Sequence, residues 1–177
     1  NNKITKIISV SNQKGGVGKT TTVINLATAL VATKKKILIL DLDAQGNAST
    51  GLGVKTEKRK FSIYDVILDD KCLKDVIITT QIPSLYIIPA NGDLSSIDID
   101  LSNNQRKLIK LKDVFSSEKF KEFMFDYVFI DCPPSLNILT LNAFVSSTSV
   151  IVPLQTEFFA LEGLSQLLTT IKEIRSN

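Results

Sequence analysis

The residues best suited to chemistry lie near the start of the chain, in a stretch rich in glycine and lysine. It reads Gln13-Lys14-Gly15-Gly16-Val17-Gly18-Lys19-Thr20. Glycines let a backbone turn tightly and aim successive N–H groups at phosphate oxygens. The Lys19 ammonium could reach the β- and γ-phosphates of a nucleotide, and the Thr20 hydroxyl could bind magnesium. The pattern predicts a phosphate-binding loop whose nucleotide-binding residues are Lys14, Gly15, Gly16, Val17, Gly18, Lys19, Thr20 and Thr21.

This loop departs from the usual GxxxxGK[ST] pattern at its first position and contains one additional lysine. Gln13 occupies the first glycine position, and an additional lysine, Lys14, lies inside the loop. The flanking sequence nevertheless fits, because an apolar strand is predicted before the loop and a helix after it. The N-terminal end of that helix would add its positive dipole to the phosphate site.

Carboxylates end two further apolar runs. Asp131 ends one predicted strand, and we expect it to hold magnesium through a bound water. Asp41 and Asp43 alternate at the end of another, so both would share a face if the strand continued. Asp43 could instead simply form the turn before Gln45-Gly46-Asn47. Pro133 and Pro134 restrict the backbone after Asp131 and suit a segment that couples nucleotide state to the surface.

Four segments together resemble one family. The run Lys14–Thr21 resembles the deviant Walker A motif of the ParA/MinD ATPases, which has a signature lysine at this place. The run Asp41–Ser49 is similar to that family's switch I, although Ala44 stands where a proline is frequent. The run Phe129–Pro134 resembles its Walker B and switch II region. The run Pro153–Gly163 is closer to the ParA/Soj partitioning branch than to MinD.

The resemblance implies roles for individual residues. Lys14 would be catalytic and reach across a dimer interface to the partner's nucleotide, and Asp43 would orient the attacking water. Asp41 would organise magnesium waters or the loop. The switch residues would be Asp41, Gln45, Asn47, Pro133 and Pro134. Gln155 and Glu157 could border the nucleotide or the interface, or be structural.

The resemblance also implies a function: an ATP-dependent DNA-partitioning ATPase for a chromosome or plasmid. Its cofactor would be Mg²⁺ and its substrate ATP, which it would hydrolyse slowly. The ATP-bound form would be a homodimer that binds DNA without sequence specificity, and a centromere-binding protein would stimulate hydrolysis. Three alternatives stay open: a MinD-like regulator of the division site, an iron–sulfur reductase on the same fold, and a nucleotide-dependent module that does not hydrolyse.

Short apolar runs alternate with helical stretches along the chain. This alternation predicts an α/β fold with a mostly parallel sheet and helices on both faces, of the P-loop NTPase, Rossmann-like three-layer kind. We expect one domain, residues 1–177, that lacks its C-terminal part. The predicted strands are Lys6–Ser11, Lys36–Asp41, Leu85–Pro89, Tyr127–Asp131 and Ser149–Pro153. The predicted helices are Thr20–Ala32, Ile63–Leu68, Gln105–Phe115, Lys119–Phe123, Leu136–Val145 and Leu161–Ile174, with Val54–Lys60 and Gly92–Asn104 as surface connections.

Composition narrows the class of protein. With 44% hydrophobic and 22% charged residues the chain resembles a folded globular domain, and the net charge of +3 is too small to argue for nucleic acid. The absence of histidine leaves acid–base chemistry to carboxylates, lysines or metal-bound water. No signal peptide or membrane span is evident, so we predict a cytoplasmic protein without stable membrane insertion. The family resemblance implies that it associates with the nucleoid. Cys72 and Cys132 form no CxxC pair.

Two basic clusters lie in predicted connections. These are Lys34–Lys36 and the run Lys55–Lys60, which Glu57 interrupts. We interpret them as solvated surface, although the family resemblance implies a phosphate-directed patch somewhere on the protein.

Overall fold

The computed structural model describes residues 4–68, 71–155 and 160–176. Within these residues, six strands form one sheet in the order β3-β4-β2-β5-β1-β6. All neighbouring pairs are parallel except β3 with β4. The mostly parallel sheet predicted from the sequence is therefore confirmed. The strands are β1 Lys6–Val10, β2 Ile37–Asp41, β3 Ile78–Thr79, β4 Leu85–Ile88, β5 Tyr127–Asp131 and β6 Ser149–Ile151.

All the described helices except the last lie between strands along the chain, as expected for parallel connections. They are α1 Lys19–Ala32, α2 Asn47–Gly51, α3 Ile63–Ile67, α4 Leu73–Val76, α5 Ile97–Asp100, α6 Lys110–Ser116, α7 Glu118–Lys121, α8 Ile138–Ser146 and α9 Ala160–Ser176. Short 3₁₀ turns occupy Thr56–Lys58 and Gly92–Ser96. No helix in this part of the chain is both long and apolar enough to cross a bilayer.

Both faces of the sheet are covered, because alternate strand residues point to opposite sides. On one side Leu38, Leu40, Val128 and Ile130 pack with residues of α3, α5, α6 and α8. On the other side Ile37, Ile39 and Phe129 pack with Val23 and Ala27 of α1. Both faces being buried explains why β2 and β5 are apolar almost throughout. The three-layer arrangement is thereby confirmed.

The strands β1, β2 and β5 bring the polar segments that follow them to one edge of the sheet. In register, Asp131 at the end of β5 lies between Val10 of β1 and Asp41 of β2. The loops that follow β1, β2 and β5 therefore leave the sheet side by side at its carboxyl edge, where ligands bind in open α/β sheets.

Several local predictions were wrong. The two-residue strand β3 and the helices α2, α4 and α5 were not predicted. The segment Gly92–Asn104 is more than a surface connection, because Leu94, Ile97 and Leu101 are buried in the core. The predicted helix at Gln105–Phe115 begins only at Lys110. Within Val54–Lys60 a 3₁₀ turn forms at Thr56–Lys58.

Candidate functional site

The glycine-rich loop joins β1 to α1, as the sequence predicts. Gly16 and Gly18 have φ angles of 72° and 84°, which side chains other than glycine rarely adopt. A Cβ placed on Gly15, Gly16 or Gly18 would have no neighbour within 4 Å, so the concave side of the loop is open. Gly18 caps α1, and its carbonyl accepts hydrogen bonds from the N–H (2.9 Å) and hydroxyl (2.7 Å) of Thr22. The loop has the shape of an anion cradle.

The two lysines of the loop lie in different environments. The Lys19 side chain is buried, and its ammonium donates a hydrogen bond to the carbonyl of Lys14 at 3.0 Å. Burial lowers the pKa of Lys19, an effect that the nearby carboxylates of Asp131 and Asp43 oppose. Lys14 is exposed, and its backbone N–H is held by Asn12 at 3.0 Å. Lys19 is therefore placed inside the loop, and Lys14 faces outward.

Asp131 and Thr20 are joined directly beneath the loop. The Thr20 hydroxyl donates to Oδ2 of Asp131 at 2.6 Å. The other oxygen, Oδ1, is buried without a hydrogen-bond partner among the described residues. Burial raises the pKa of Asp131 to about 7, with smaller contributions from the charges of Asp41 and Asp43. A buried carboxylate with one unsatisfied oxygen is costly unless a ligand or cation completes it.

This pair fits the predicted magnesium site. Magnesium prefers oxygen ligands and usually keeps several waters, with one or two protein groups and substrate phosphates completing its shell. The Thr20 hydroxyl and the unsatisfied Oδ1 of Asp131 supply such oxygens beside the phosphate cradle. In the described part of the chain no cluster of three or more acidic, cysteine or histidine side chains could bind a metal by itself.

Asp41 has a structural task in the loop after β2. It is fully buried, and its Oδ2 accepts hydrogen bonds from the N–H and hydroxyl of Ser49 at 2.9 and 2.7 Å. The Ser49 oxygen in turn accepts the N–H of Ala90 at 3.1 Å. Burial raises the pKa of Asp41, and the two Ser49 hydrogen bonds oppose that rise. Of the two roles predicted for Asp41, these contacts match organisation of the loop.

Asp43 forms a turn and also faces the candidate site. Its Oδ1 accepts the N–H of Gln45 at 3.0 Å, and its carbonyl accepts the N–H of Gly46 at 2.8 Å. The turn-forming interpretation is therefore correct for the backbone. Asp43 also lines the same cleft as Lys19 and Thr20.

The cleft collects most of the predicted site residues. It is open to solvent and has a volume of about 580 Å³. Pro134 is exposed and forms part of its wall, whereas Pro133 and Val17 are buried and do not line the cleft. The lining consists of Gly15, Gly16, Gly18, Lys19, Thr20, Thr21, Asp43, Gln45, Asn47 and Pro134.

The segment after β6 touches the phosphate loop. The side chain of Gln155 donates to the carbonyl of Gly16 at 3.2 Å. Asn12 donates to the carbonyl of Pro153 at 2.8 Å. Gln155 therefore contacts the phosphate loop, and its predicted place beside the nucleotide or the dimer interface stays a prediction. Glu157 lies outside the described residues.

Sequence reasoning missed two residues that shape the site. Ser49 links Asp41 to Ala90, and Arg59 bonds to the segment that contains α2. Ser49 was inside the recognised switch I segment without a role of its own. Arg59 was included in a cluster interpreted as solvated surface, and for Arg59 that interpretation was wrong. Local sequence offers no signal for it, since its partners lie 5 to 13 residues away.

The surroundings of the two cysteines do not favour the binding of an iron–sulfur cluster. Cys132 directly follows β5 and is buried in the core, and burial raises the pKa of its thiol. Cys72 is exposed at the start of α4. A buried thiol with a raised pKa is a poor source of the thiolate that an iron–sulfur cluster needs.

Comparison with known proteins gives concordant results. A family described as an AAA domain matches residues 5–177. The chromosome partitioning protein ParA of Caulobacter vibrioides NA1000 is 46% identical over 172 residues, which cover 97% of this chain and 64% of that protein. The sporulation initiation inhibitor Soj of Bacillus subtilis 168 is 43% identical, over 97% of this chain and 67% of its own length. The chain thus spans about two thirds of the length of these relatives.

Solved structures share the fold. A cobyrinic acid a,c-diamide synthase from Mycobacterium smegmatis, solved with ADP and magnesium, has a TM-score of 0.91 and 37% identity. That match covers 98% of this chain and 69% of the synthase. A plasmid partition protein from Borrelia burgdorferi B31, solved with AMPPNP, has a TM-score of 0.86 and 29% identity over 97% of this chain and 70% of its own.

Proposed function

The chain belongs to the ParA/MinD-like family of AAA domains, and on this premise we propose that it is the nucleotide-binding region of an ATP-dependent DNA-partitioning ATPase. The observation on which this proposal depends is the cleft at the carboxyl edge of the sheet. There a cradle of glycines, a buried lysine, a hydroxyl paired with a carboxylate, and a turn containing Asp43 face one space. This is the set of groups that phosphoryl transfer requires.

Each group has a defined task in the proposal. The N–H groups of the loop and the start of α1 would bind the β- and γ-phosphates. On nucleotide binding the Lys19 ammonium would exchange its bond to the Lys14 carbonyl for phosphate oxygens. Magnesium, held by Thr20 and by water on Asp131, would neutralise charge on the phosphates. Asp43 would orient the attacking water, since its carboxylate borders the cleft.

The outward position of Lys14 supports a dimer switch. A second ammonium that reaches the partner's γ-phosphate would make the interface depend on the triphosphate. Some relatives are named as chromosome partitioning or plasmid partition proteins, and the ATP-bound dimer of this protein would accordingly bind DNA. The partner that stimulates hydrolysis would be a centromere-binding protein. The ATPase would work in the cytoplasm on the nucleoid.

The proposal is tested by separating the two loop lysines. Lys19→Ala should abolish binding of a fluorescent ADP, because it removes the phosphate-facing ammonium. Lys14→Gln should bind ADP normally but fail to dimerise with ATP on size-exclusion chromatography and fail to release phosphate. Lys112→Gln, an exposed lysine in α6, is the matched control and should behave as wild type.

Two outcomes would contradict the proposal. A Lys14→Gln protein that still dimerises and hydrolyses ATP would remove the switch role of Lys14. A folded wild-type protein that takes up no magnesium–ATP in calorimetry at millimolar ligand would remove the nucleotide site itself.

A further inference from the structure

Arg59 makes an unusual set of contacts for a residue in a basic surface run. Its Nε and one terminal nitrogen donate to the carbonyl of Val54 at 3.0 and 2.6 Å. The same terminal nitrogen donates to the Thr50 hydroxyl at 2.9 Å, and the other donates to the carbonyl of Gly46 at 3.4 Å. One guanidinium therefore contacts the residue that precedes α2, a residue within it, and a residue shortly after it.

The contact with Gly46 is close. A Cβ on Gly46 would lie 2.5 Å from the Arg59 guanidinium, and Gly46 has a φ of 65°. Arg59 is itself anchored, because the Asn91 side chain donates to its carbonyl at 3.2 Å. The guanidinium thus lies directly against the turn that contains Asp43, whose carbonyl is bonded to the Gly46 N–H at 2.8 Å.

The helix α2 needs this external support. Five residues, Asn47–Gly51, form fewer internal hydrogen bonds than an isolated helix requires. One attachment is made by the buried Asp41, whose carboxylate accepts hydrogen bonds from the N–H and the hydroxyl of Ser49. Arg59 supplies a second attachment and bonds to the stretch from Gly46 to Val54.

We propose that Arg59 is a positioning residue for nucleotide turnover: its guanidinium latches α2 and thereby fixes the turn that holds Asp43 in the cleft. This inference rests on the proposed function, because it assigns Arg59 an effect on hydrolysis. Arg59 acts through Gly46 and α2 and does not contact the reacting atoms. The phosphate loop is positioned by β1 and α1, so the latch affects the rate and not the affinity for nucleotide.

The test compares Arg59→Ala and Arg59→Lys with Arg106→Ala in the same protein. Arg106 is the matched control, because it is an exposed arginine whose Nη2 donates to both carboxylate oxygens of Asp113, at 2.8 and 2.7 Å. Arg59→Ala should lower kcat for ATP by about 10- to 100-fold, because a displacement of about 1 Å in a positioned group can cost about 100-fold, while KM and the Kd for fluorescent ADP change less than about threefold. Arg59→Lys should give an intermediate kcat, since one ammonium replaces only part of a forked set of bonds.

Hydrogen exchange supplies a measurement that does not depend on turnover. In the ADP-bound protein, Arg59→Ala should speed exchange of the amides of residues 47–51 by roughly tenfold, and Arg106→Ala should not. Unchanged kcat in Arg59→Ala would overturn the proposal, as would a fall in ADP affinity proportional to the fall in kcat. Absence of hydrolysis in the wild type would instead overturn the proposed function. Unchanged hydrogen exchange of the amides of residues 47–51 would by itself contradict the proposed role of Arg59 in holding α2.

Discussion

The Thr20 hydroxyl donates to Oδ2 of Asp131 at 2.6 Å, and the second oxygen of the same carboxylate is buried without a partner in the described structure. These two residues are 111 positions apart in the chain, and they meet because β1 and β5 are paired in register. The start of α1 is thereby fixed against the end of β5. Oδ2 therefore accepts a hydrogen bond from the protein, and Oδ1 is available to a water molecule bound to a cation.

Asp131→Asn should weaken the magnesium dependence of nucleotide binding. The substitution keeps the shape of the side chain and removes the charge that attracts metal-bound water, and loss of such an outer partner costs about 10- to 100-fold in metal affinity. Calorimetry of ADP with and without Mg²⁺ measures the effect. Binding in EDTA should be unchanged, and Asp113→Asn, at an exposed ion pair, should behave as wild type. Equal magnesium enhancement in wild type and Asp131→Asn would contradict the assignment.

The stability of the metal-free protein should depend on the same carboxylate. Because the folded state raises the pKa of Asp131 from 3.8 to about 7, the folded protein binds this proton more tightly than the unfolded chain. Stability contributed by the proton is complete below about pH 4 and is lost as the pH rises through about 7. A pKa that differs by 1 between the folded and unfolded states corresponds to about 1.4 kcal/mol, so the effect should be on the order of a few kcal/mol.

Urea unfolding in EDTA between about pH 5 and pH 8 measures this effect as the difference between wild type and Asp131→Asn. The free energy of unfolding of the wild type should fall relative to the variant as the pH rises. Addition of Mg²⁺ with ADP should reverse the fall, since a cation then compensates the charge. A pH-independent difference would show that the buried carboxylate does not titrate in this range.

The fold was largely predictable because its signals are local. β2 and β5 are apolar runs buried on both faces, so their bounds were predicted to within one residue. β3 was missed because two residues, Ile78 and Thr79, contain no periodicity, and they form a strand only by pairing with β4. Leu94 and Ile97 were interpreted as loop because glycine, serine and aspartate surround them, yet their apolar side chains enter the core.

The site was predictable where one short motif contains the chemistry. Gly16, Gly18, Lys19 and Thr20 act within a single turn, so sequence spacing alone places them. The helix α2 was not predictable, since its sequence Asn-Ala-Ser-Thr-Gly has no amphipathic pattern. Its polar groups are bonded to Asp41 and Arg59, which lie outside the helix, eight residues before Ser49 and nine residues after Thr50.

Two substitutions at Asp43 separate its structural role from its proposed role with water. Asp43→Asn retains an oxygen that can accept the Gln45 N–H, now at 3.0 Å, but removes the negative charge. Asp43→Ala removes both. If the charge orients the attacking water, both variants should lose most phosphate release while binding ADP normally, and only Asp43→Ala should lose stability, by about 1 kcal/mol. Full activity in Asp43→Asn, measured by steady-state phosphate release, would limit Asp43 to forming the turn.

Lys36 should contribute to stability and not to a basic surface. Its ammonium donates to the carbonyl of Phe123 at 2.7 Å and lies 5.2 Å from the ring centres of both Tyr86 and Phe125. The sequence-based interpretation of Lys36 as solvated surface was therefore wrong. Lys36→Met should lower the free energy of unfolding by about 1–3 kcal/mol, because the hydrogen bond and both cation–π contacts are lost.

The neighbouring Lys34 is exposed and provides the matched control. Lys34→Met should change stability by less than about 0.5 kcal/mol, as surface substitutions usually do. Urea denaturation of both variants, with DNA binding measured at two salt concentrations, distinguishes the roles. A Lys36→Met protein as stable as wild type but with a reduced salt dependence of DNA binding would show that the ammonium serves phosphate contacts, because each lost phosphate contact lowers that slope by about one.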